Sequence, residues 1–320
     1  MAVVISELGG GARPHQPDRK PAILAALGHV VPFLRRGRVE PISSQPTIMR
    51  HEAELQSALQ ELHLPKKMIF LDVNGTLIPE DSQDGSIPPA DLRDFQTEVS
   101  RLTQSGIAIG LCSDSPLPQL QQFAARLGLS GPIIAENGAV VSFGTTRVVL
   151  GEVPDSERLI ARVIDIAQQH RLQRLPDAIA PEFGGEQIDL TNGHYAFGAN
   201  REATVSVFGS TTFITQLGEE LHPEGCSMDI SPEYGYLGIH PGGNFRDSKR
   251  QTLSAMANTG ETKILMIGNS MSDNVQADNI RTAFVGGSML TDAAAADERT
   301  YISPHTTMRG VIDILRQIQV

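Results

Sequence analysis

From Lys67 onward the chain alternates short aliphatic runs with amphipathic stretches. KMIFLD (67–72), GIAIGLC (106–112), GPIIAE (131–136), KILMIG (263–268) and TAFVGG (282–287) are each apolar enough to be a strand buried on both faces. Helical spacing between them predicts helices over 89–104, 116–128, 246–257, 271–279 and 306–318. Pro88, Pro89 and Pro116 fall where a helix start tolerates proline. Strands alternating with helices in this way predict βαβ units and a parallel sheet.

The alternation breaks between 144 and 240. That stretch carries helical patterns at 155–171 and 211–221 and strand-like pieces such as ATVSVFG (203–209), the composition of an inserted α+β domain. Residues 1–66 hold Gly, Pro and Ser clusters, one predicted helix at 50–63 and no readable motif, and are read as an N-terminal extension. The expected organisation is therefore an extension over 1–66, an α/β core built from 67–143 and 241–320, and an insertion over 144–240.

A length of 320 residues suits two lobes. The formal net charge of -11 argues against a general nucleic-acid binder, which needs clustered Lys and Arg to neutralise phosphates. An anionic small ligand stays compatible, because a local lysine or a metal outweighs the global sign. Two cysteines, Cys112 and Cys226, are too few for a disulfide framework or a zinc site, and Cys112 lies in an apolar run as a small core residue. The first residues lack the pattern of a secretory signal, and the apolar segment 23–34 is too short to span a bilayer. A cytoplasmic location is expected.

Four segments carry the chemistry. In MIFLDVNGTL (68–77) a buried strand runs into Asp72, where open α/β sheets bind ligands beyond the carboxyl ends of their strands. Gly75 lets the chain turn away, and Thr76 offers a hydroxyl and an N–H to a phosphate oxygen. In GIAIGLCSDSP a strand ends at Ser113, either a phosphoryl-binding hydroxyl or a helix N-cap. In RDSKRQTL (246–253), Lys249 opens a predicted helix, where a cation can meet the equatorial oxygens of a transferring phosphoryl group. In KILMIGNSMSDN, Asp273 follows another buried strand. With the Asp72 carboxylate and a backbone carbonyl of the 72–74 turn it makes a set of hard oxygen ligands, which suits Mg²⁺ better than zinc.

These four segments resemble, in order, the motifs of the haloacid dehalogenase superfamily, and of its Cof-like phosphatases in particular. The resemblance covers residues 67–320, with GLSGPIIAENGAVV (127–141) similar to the stretch before the type-C2 cap and RGVIDIL (309–315) similar to the terminal helix. It implies a Rossmann-like core with the insertion as a C2-type cap. It implies Asp72 as a nucleophile that forms an aspartyl-phosphate, Ser113 and Lys249 holding the transferred group, and Asp273 helping to hold Mg²⁺.

The chain departs from the family pattern at two places. Family phosphatases carry a second aspartate two residues after the nucleophile, as general acid and base; here it is Asn74. An amide exchanges no proton usefully at neutral pH. Its backbone carbonyl still suits a metal, so the loss is general acid–base help, typically about 10²–10⁴-fold. The fourth motif usually reads Gly-Asp, and here it is Gly268-Asn269, which keeps an oxygen ligand but loses its charge.

The resulting expectation is a Mg²⁺-dependent phosphatase acting on a small phosphorylated metabolite, a phosphosugar by resemblance, with slowed turnover. The alternative is a degenerate relative that binds a phosphorylated ligand or a protein partner without turnover. A phosphonate hydrolase is disfavoured because the insertion contains no lysine for a Schiff base. Glu136 and Asn137, at the junction with the insertion, are candidate substrate contacts. Asp81, Asp84, Asp114 and Ser115 are read chiefly as polar loop residues, and His194, Tyr195 and Arg201 chiefly as an exposed loop of the insertion.

Overall fold

The computed structural model describes residues 64–319 apart from 81–84, 150–152, 181–182, 186–189, 191–192, 223–225, 241–244, 259–261, 276 and 291–299. The predicted helix at 50–63, nearly all of the extension, and Asp81 and Asp84 lie outside the described residues.

The main sheet has eight strands. In chain order the first are β1 (Lys67–Leu71), β2 (Ala108–Cys112), β3 (Ile133–Ala135), β4 (Val140–Phe143) and β5 (Thr146–Val149). After the insertion come β11 (Lys263–Ser270), β12 (Ile280–Met289) and β13 (Tyr301–Ile302), and the spatial order is β13-β12-β11-β1-β2-β3-β4-β5. From β13 to β3 neighbouring strands are parallel; β4 and β5 add an antiparallel edge. All five apolar runs that the sequence marks as buried strands are strands of this sheet.

Successive side chains of a strand point to opposite faces, and here each face meets its own helices. Ile69, Leu71, Ile109 and Leu111 pack with Phe95 and Leu102 of α1 (Pro89–Gln104), Leu120 and Phe123 of α2 (Leu117–Leu127), and Val311 and Leu315 of the C-terminal helix Thr307–Gln317. Met68, Phe70, Cys112 and Met266 pack with Leu253 and Met256 of the helix Phe245–Asn258. Cys112 is fully buried, and that burial pushes its thiol up to about 12, the state of an inert core residue. Pro88 and Pro116 are the residues just before α1 and α2, as expected of prolines at helix starts.

One predicted helix is absent. Residues 271–279 hold only a short turn, Met271–Asp273, and β12 starts at Ile280. Three local bonds explain this. Asp273 folds back on the residues before it, and the N–H and C=O of Val275 both bond the Thr282 hydroxyl instead of entering a helical ladder.

Between β5 and the helix Phe245–Asn258 lies a second, five-stranded sheet. It contains β6 (Gln173–Arg174), β7 (His194–Phe197), β8 (Val205–Gly209), β9 (Ser227–Ser231) and β10 (Tyr236–His240), in the order β6-β7-β8-β10-β9. Two helices, α3 (Val153–Gln169) and α4 (Thr211–Leu221), cover one face of it, and Leu159, Val163, Ile214 and Leu217 pack there on Val205, Val207, Leu237 and Ile239. The mixed α+β character expected of the insertion is present. The helices Phe245–Asn258 and Thr307–Gln317 are α5 and α6 below.

Close approach of segment 131–132 to β2 requires glycine at position 110, where a Cβ would sit 1.8 Å from the Pro132 carbonyl oxygen. Backbone cannot yield as a side chain does, so Gly110→Ala is expected to destabilise the protein by about 3 kcal/mol, read as a lower urea midpoint with unchanged slope.

Candidate active site

The site lies beyond the carboxyl ends of β1, β2 and β11. The N–H of Asp72 donates to Ile267 O of β11 at 2.9 Å and so completes the ladder. The chain then leaves the sheet in a tight turn, where the N–H groups of Thr76, Leu77 and Ile78 all converge on Val73 O. Gly75 takes a left-handed conformation (φ 72°), and a Cβ there would lie 2.0 Å from Asn269 Nδ2. Both backbone and packing therefore demand glycine in D-x-N-G-T.

Lys249, on α5, reaches this point from 177 residues away. Its ammonium donates to Asp72 Oδ1 at 3.1 Å and to Asp273 Oδ1 at 2.8 Å, with all three side chains buried. Asp273 is held from behind: its Oδ2 accepts from the N–H groups of Asn269 and Ser270 and from the Ser270 hydroxyl. The helix bearing Lys249 is itself tied down, because Thr252 donates to Gly138 O at 2.9 Å.

One cation between two carboxylates leaves a net negative charge in a buried place. Burial pushes Asp72 up to about 7, with the Asp273 charge adding to the rise and Lys249 opposing it. Burial acts the other way on Lys249, yet the two carboxylates hold it well above the ordinary lysine value, so it remains an ammonium.

Thr76 Oγ1 lies 3.3 Å from both Asp72 Oδ2 and Asn269 Oδ1. A single hydroxyl hydrogen serves one acceptor at a time, so a further oxygen lone pair is left beside it for a cation or water. Asn269 sits where β11 shifts register against β12, between Gly268 and Ser270, a break of the kind that re-aims side chains at sites. Two carboxylates and an amide oxygen are hard donors of the type Mg²⁺ takes, with one negative charge fewer than a carboxylate at 269 would give. Among the described residues no cluster of three or more His, Cys, Asp or Glu is placed to hold a metal.

Ser113 is buried at the end of β2, its N–H on Ile134 O at 3.0 Å and its Oγ 3.4 Å from Ser115 Oγ. Asn137 is also buried, in a left-handed conformation (φ 55°), and donates its N–H to Ser113 O. Glu136 has another place than the substrate contact expected from sequence. Its carboxylate is fully buried and accepts four hydrogen bonds, from the N–H groups of Glu202, Ala203 and Thr204 and from the Thr204 hydroxyl, at 2.7–3.0 Å. Glu136 thus fastens the five-stranded lobe to the main sheet.

Arg201, read from sequence as exposed loop, is buried instead. It makes two bonds to Asp114, at 3.1 and 3.3 Å, and further bonds to Thr204 and Tyr236, whose hydroxyl also donates to Asp114. Tyr236 escaped the sequence reading; its only signal is the strand-like YGYLGIH, which puts it on the face of β10 opposite Leu237. Tyr195 belongs to the core of the five-stranded lobe, against Phe197 and Phe213.

A carboxyl raised on folding stabilises the native state below its model-peptide value, here 3.8, and loses that contribution as pH rises through about 7. In chelator, wild type is therefore expected to lose up to about 4 kcal/mol relative to Asp72→Asn as pH rises from about 4 to about 8. Parallel urea titrations of the two proteins across that range check it; a constant difference would contradict the raised carboxyl.

A family model described as haloacid dehalogenase-like hydrolase matches residues 69–176. Among solved structures, a haloacid dehalogenase-like hydrolase from Bacteroides thetaiotaomicron is similar with TM-score 0.60 at 18% identity, over 79% of this chain and 99% of that one. A haloacid dehalogenase-like hydrolase from B. subtilis is similar with TM-score 0.53 at 13% identity, over 79% and 100%. A structure described as a subclass IIB sugar phosphatase is similar with TM-score 0.51 at 14% identity, over 78% and 98%. At these identities the likeness is one of fold. The family model thus covers residues 69–176, and over most of its length the chain shares the fold of these haloacid dehalogenase-like structures.

Proposed function

We propose that the protein is a Mg²⁺-dependent phosphatase that transfers the phosphoryl group of a small phosphorylated metabolite, by resemblance a phosphosugar, to Asp72. The observation that carries this reading is the Asp72–Lys249–Asp273 cluster, which gathers a carboxylate nucleophile and a fixed cation at the edge of a parallel sheet.

In this reading Asp72 Oδ1 attacks phosphorus and forms an aspartyl-phosphate as the P–O ester bond breaks, and the departing alkoxide takes its proton from solvent water. Lys249, freed from Asp72 as the bond forms, stays charged and meets the equatorial oxygens. The Ser113 and Thr76 hydroxyls orient the same oxygens. Asp72, Asp273, Asn269 and the Asn74 carbonyl would hold Mg²⁺, which when bound neutralises phosphate charge. Water then attacks the phosphorus of the acyl phosphate and returns Asp72. Asn74 offers no proton for the leaving alcohol and no base for that water, so hydrolysis is the step that suffers most.

A specific observation favours a second reading, a binder of phosphorylated ligands or protein partners without turnover. The two positions that differ from the family pattern, Asn74 and Asn269, are the acid–base and a metal-ligand position. No helix among the described residues is long and apolar enough to cross a membrane, and a cytoplasmic location is part of the proposal. The net charge of -11 is unsuited to a nucleic-acid partner.

Intact mass after incubation with acetyl phosphate and Mg²⁺ separates the readings. A phosphate adduct on wild type that is absent from Asp72→Asn supports the phosphatase; no adduct and no phosphate release supports the binder. For the working enzyme, Asn74→Asp is expected to raise phosphate release by about 10²-fold, measured under saturating Mg²⁺. Asn269→Asp is expected to lower the Mg²⁺ concentration for half-maximal adduct formation by at least roughly tenfold.

A further inference from the structure

The five-stranded sheet turns its second face away from its helices. Val205, Val207, Leu237 and Ile239 point into the helical side, so Ser206, Tyr236 and Gly238 point to the other. On that face Ser206 has Gly238 opposite it on β10, and on its other side Gly198, whose N–H donates to Ser206 O at 2.9 Å. A Cβ on Gly198 would lie 2.0 Å from Ser206 Oγ and 3.5 Å from Arg201 Nε. Both polar atoms are buried, and neither has a hydrogen-bond partner among the described residues. Ser206 is 1% exposed and the Arg201 side chain 8%. An unpaired donor and an unpaired hydroxyl therefore lie against Gly198, where no larger residue fits, and each is costly to bury unless something bonds it.

The rest of the guanidinium is fixed by Asp114, Thr204 and Tyr236. Asp114 directly follows Ser113, which places this cluster at the loop that closes the carboxyl end of β2. Burial alone would raise the Asp114 carboxyl, but Arg201, Tyr236 and then Lys249 together hold it below the usual carboxylate range. The pair is charge-balanced, and the Asp114 side chain keeps 29% exposure. A group arriving there meets a carboxylate acceptor, then a free N–H and a free hydroxyl. A neutral hydroxyl can donate to the first and accept from the second. An anion meets the carboxylate while the compensating guanidinium is already engaged.

We infer that Asp114, Arg201 and Ser206 form a subsite for the non-phosphate end of the ligand, which admits neutral hydroxyl-bearing groups and rejects a second anion, with Asp114 setting the charge preference. Tyr236 acts as a positioning residue, through Asp114 and Arg201. The inference rests on the proposed phosphate site at Asp72 and adds the discrimination at the ligand's other end.

Binding tests it without turnover. Titration calorimetry with Mg²⁺, in an Asp72→Asn background that cannot form the adduct, compares inorganic phosphate, glycerol 2-phosphate and 2-phosphoglycolate. Glycerol 2-phosphate is expected to bind about tenfold more tightly than 2-phosphoglycolate, the scale of one charge contact near a protein surface. Adding Asp114→Asn is expected to erase or invert that ratio, and Arg201→Gln to widen it, so that one variant carries the test if the other fails to fold. Tyr236→Phe keeps both charges and is expected to keep the ratio. The inference is overturned if the two esters bind alike before Asp114 is changed, if a folded Asp114→Asn protein keeps the full ratio, or if Tyr236→Phe erases it as completely as Asp114→Asn, which would assign the effect to closure of the lobe. Phosphate binding with no discrimination between esters sinks the subsite alone, whereas failure of all three probes to bind sinks the phosphate site with it.

Discussion

Lys249 between Asp72 and Asp273 is the contact on which the site depends. It joins β1, α5 and the turn after β11, three segments that sequence separates by up to 201 residues. A buried ion cluster of this kind is poor value as stabilisation, because desolvation of the three groups offsets most of their attraction. Its worth is positional. It fixes a carboxylate and a cation at the strand ends with one negative charge in excess, an arrangement that raises Asp72 and invites a further cation.

Around that cluster the protein uses backbone donors to hold carboxylates in place. Asp273 is caged by two N–H groups and a hydroxyl of its own turn, and Glu136 by three N–H groups and a hydroxyl of residues 202–204. Such charge-assisted bonds are stronger than neutral ones and fix where each carboxylate points. The second cage has a consequence for the fold: Glu136 lies within one turn of Asn137, which bonds the Ser113 carbonyl, so the fastening of the five-stranded lobe and the backbone of the site share a single strained segment. Arg201 and Asp114 repeat that arrangement on the other side of Ser113.

Asn74 and Asn269 alter this design without dismantling it. The turn after β1, the packing of Asn269 on Gly75 and the lysine bridge are all intact. What is missing is proton traffic at position 74 and one negative charge at position 269. In the proposed reading, the geometry for attack on phosphorus is kept while the proton transfer that release requires is weakened.

Five of the eight strands of the main sheet, the two proline-started helices, the mixed insertion and the four segments bearing Asp72, Ser113, Lys249 and Asp273 were legible along the chain, while β4, β5 and β13 were not. Buried parallel strands are apolar throughout, and glycine or proline marks their exits, so period and punctuation suffice. The turn at 271–273 was misread as helix because its apolar spacing resembles one, while the bonds that break the ladder come from Asp273 and Thr282 side chains. The sequence by itself determined which residue types stand at the strand ends and which two differ from the family pattern. Only the tertiary structure decided that Glu136 is a fastening rather than a contact, that Arg201 is buried on Asp114, and that Tyr236 joins them. Those partners lie 35 or more residues apart, and no local period carries information about contacts between segments so distant in the chain.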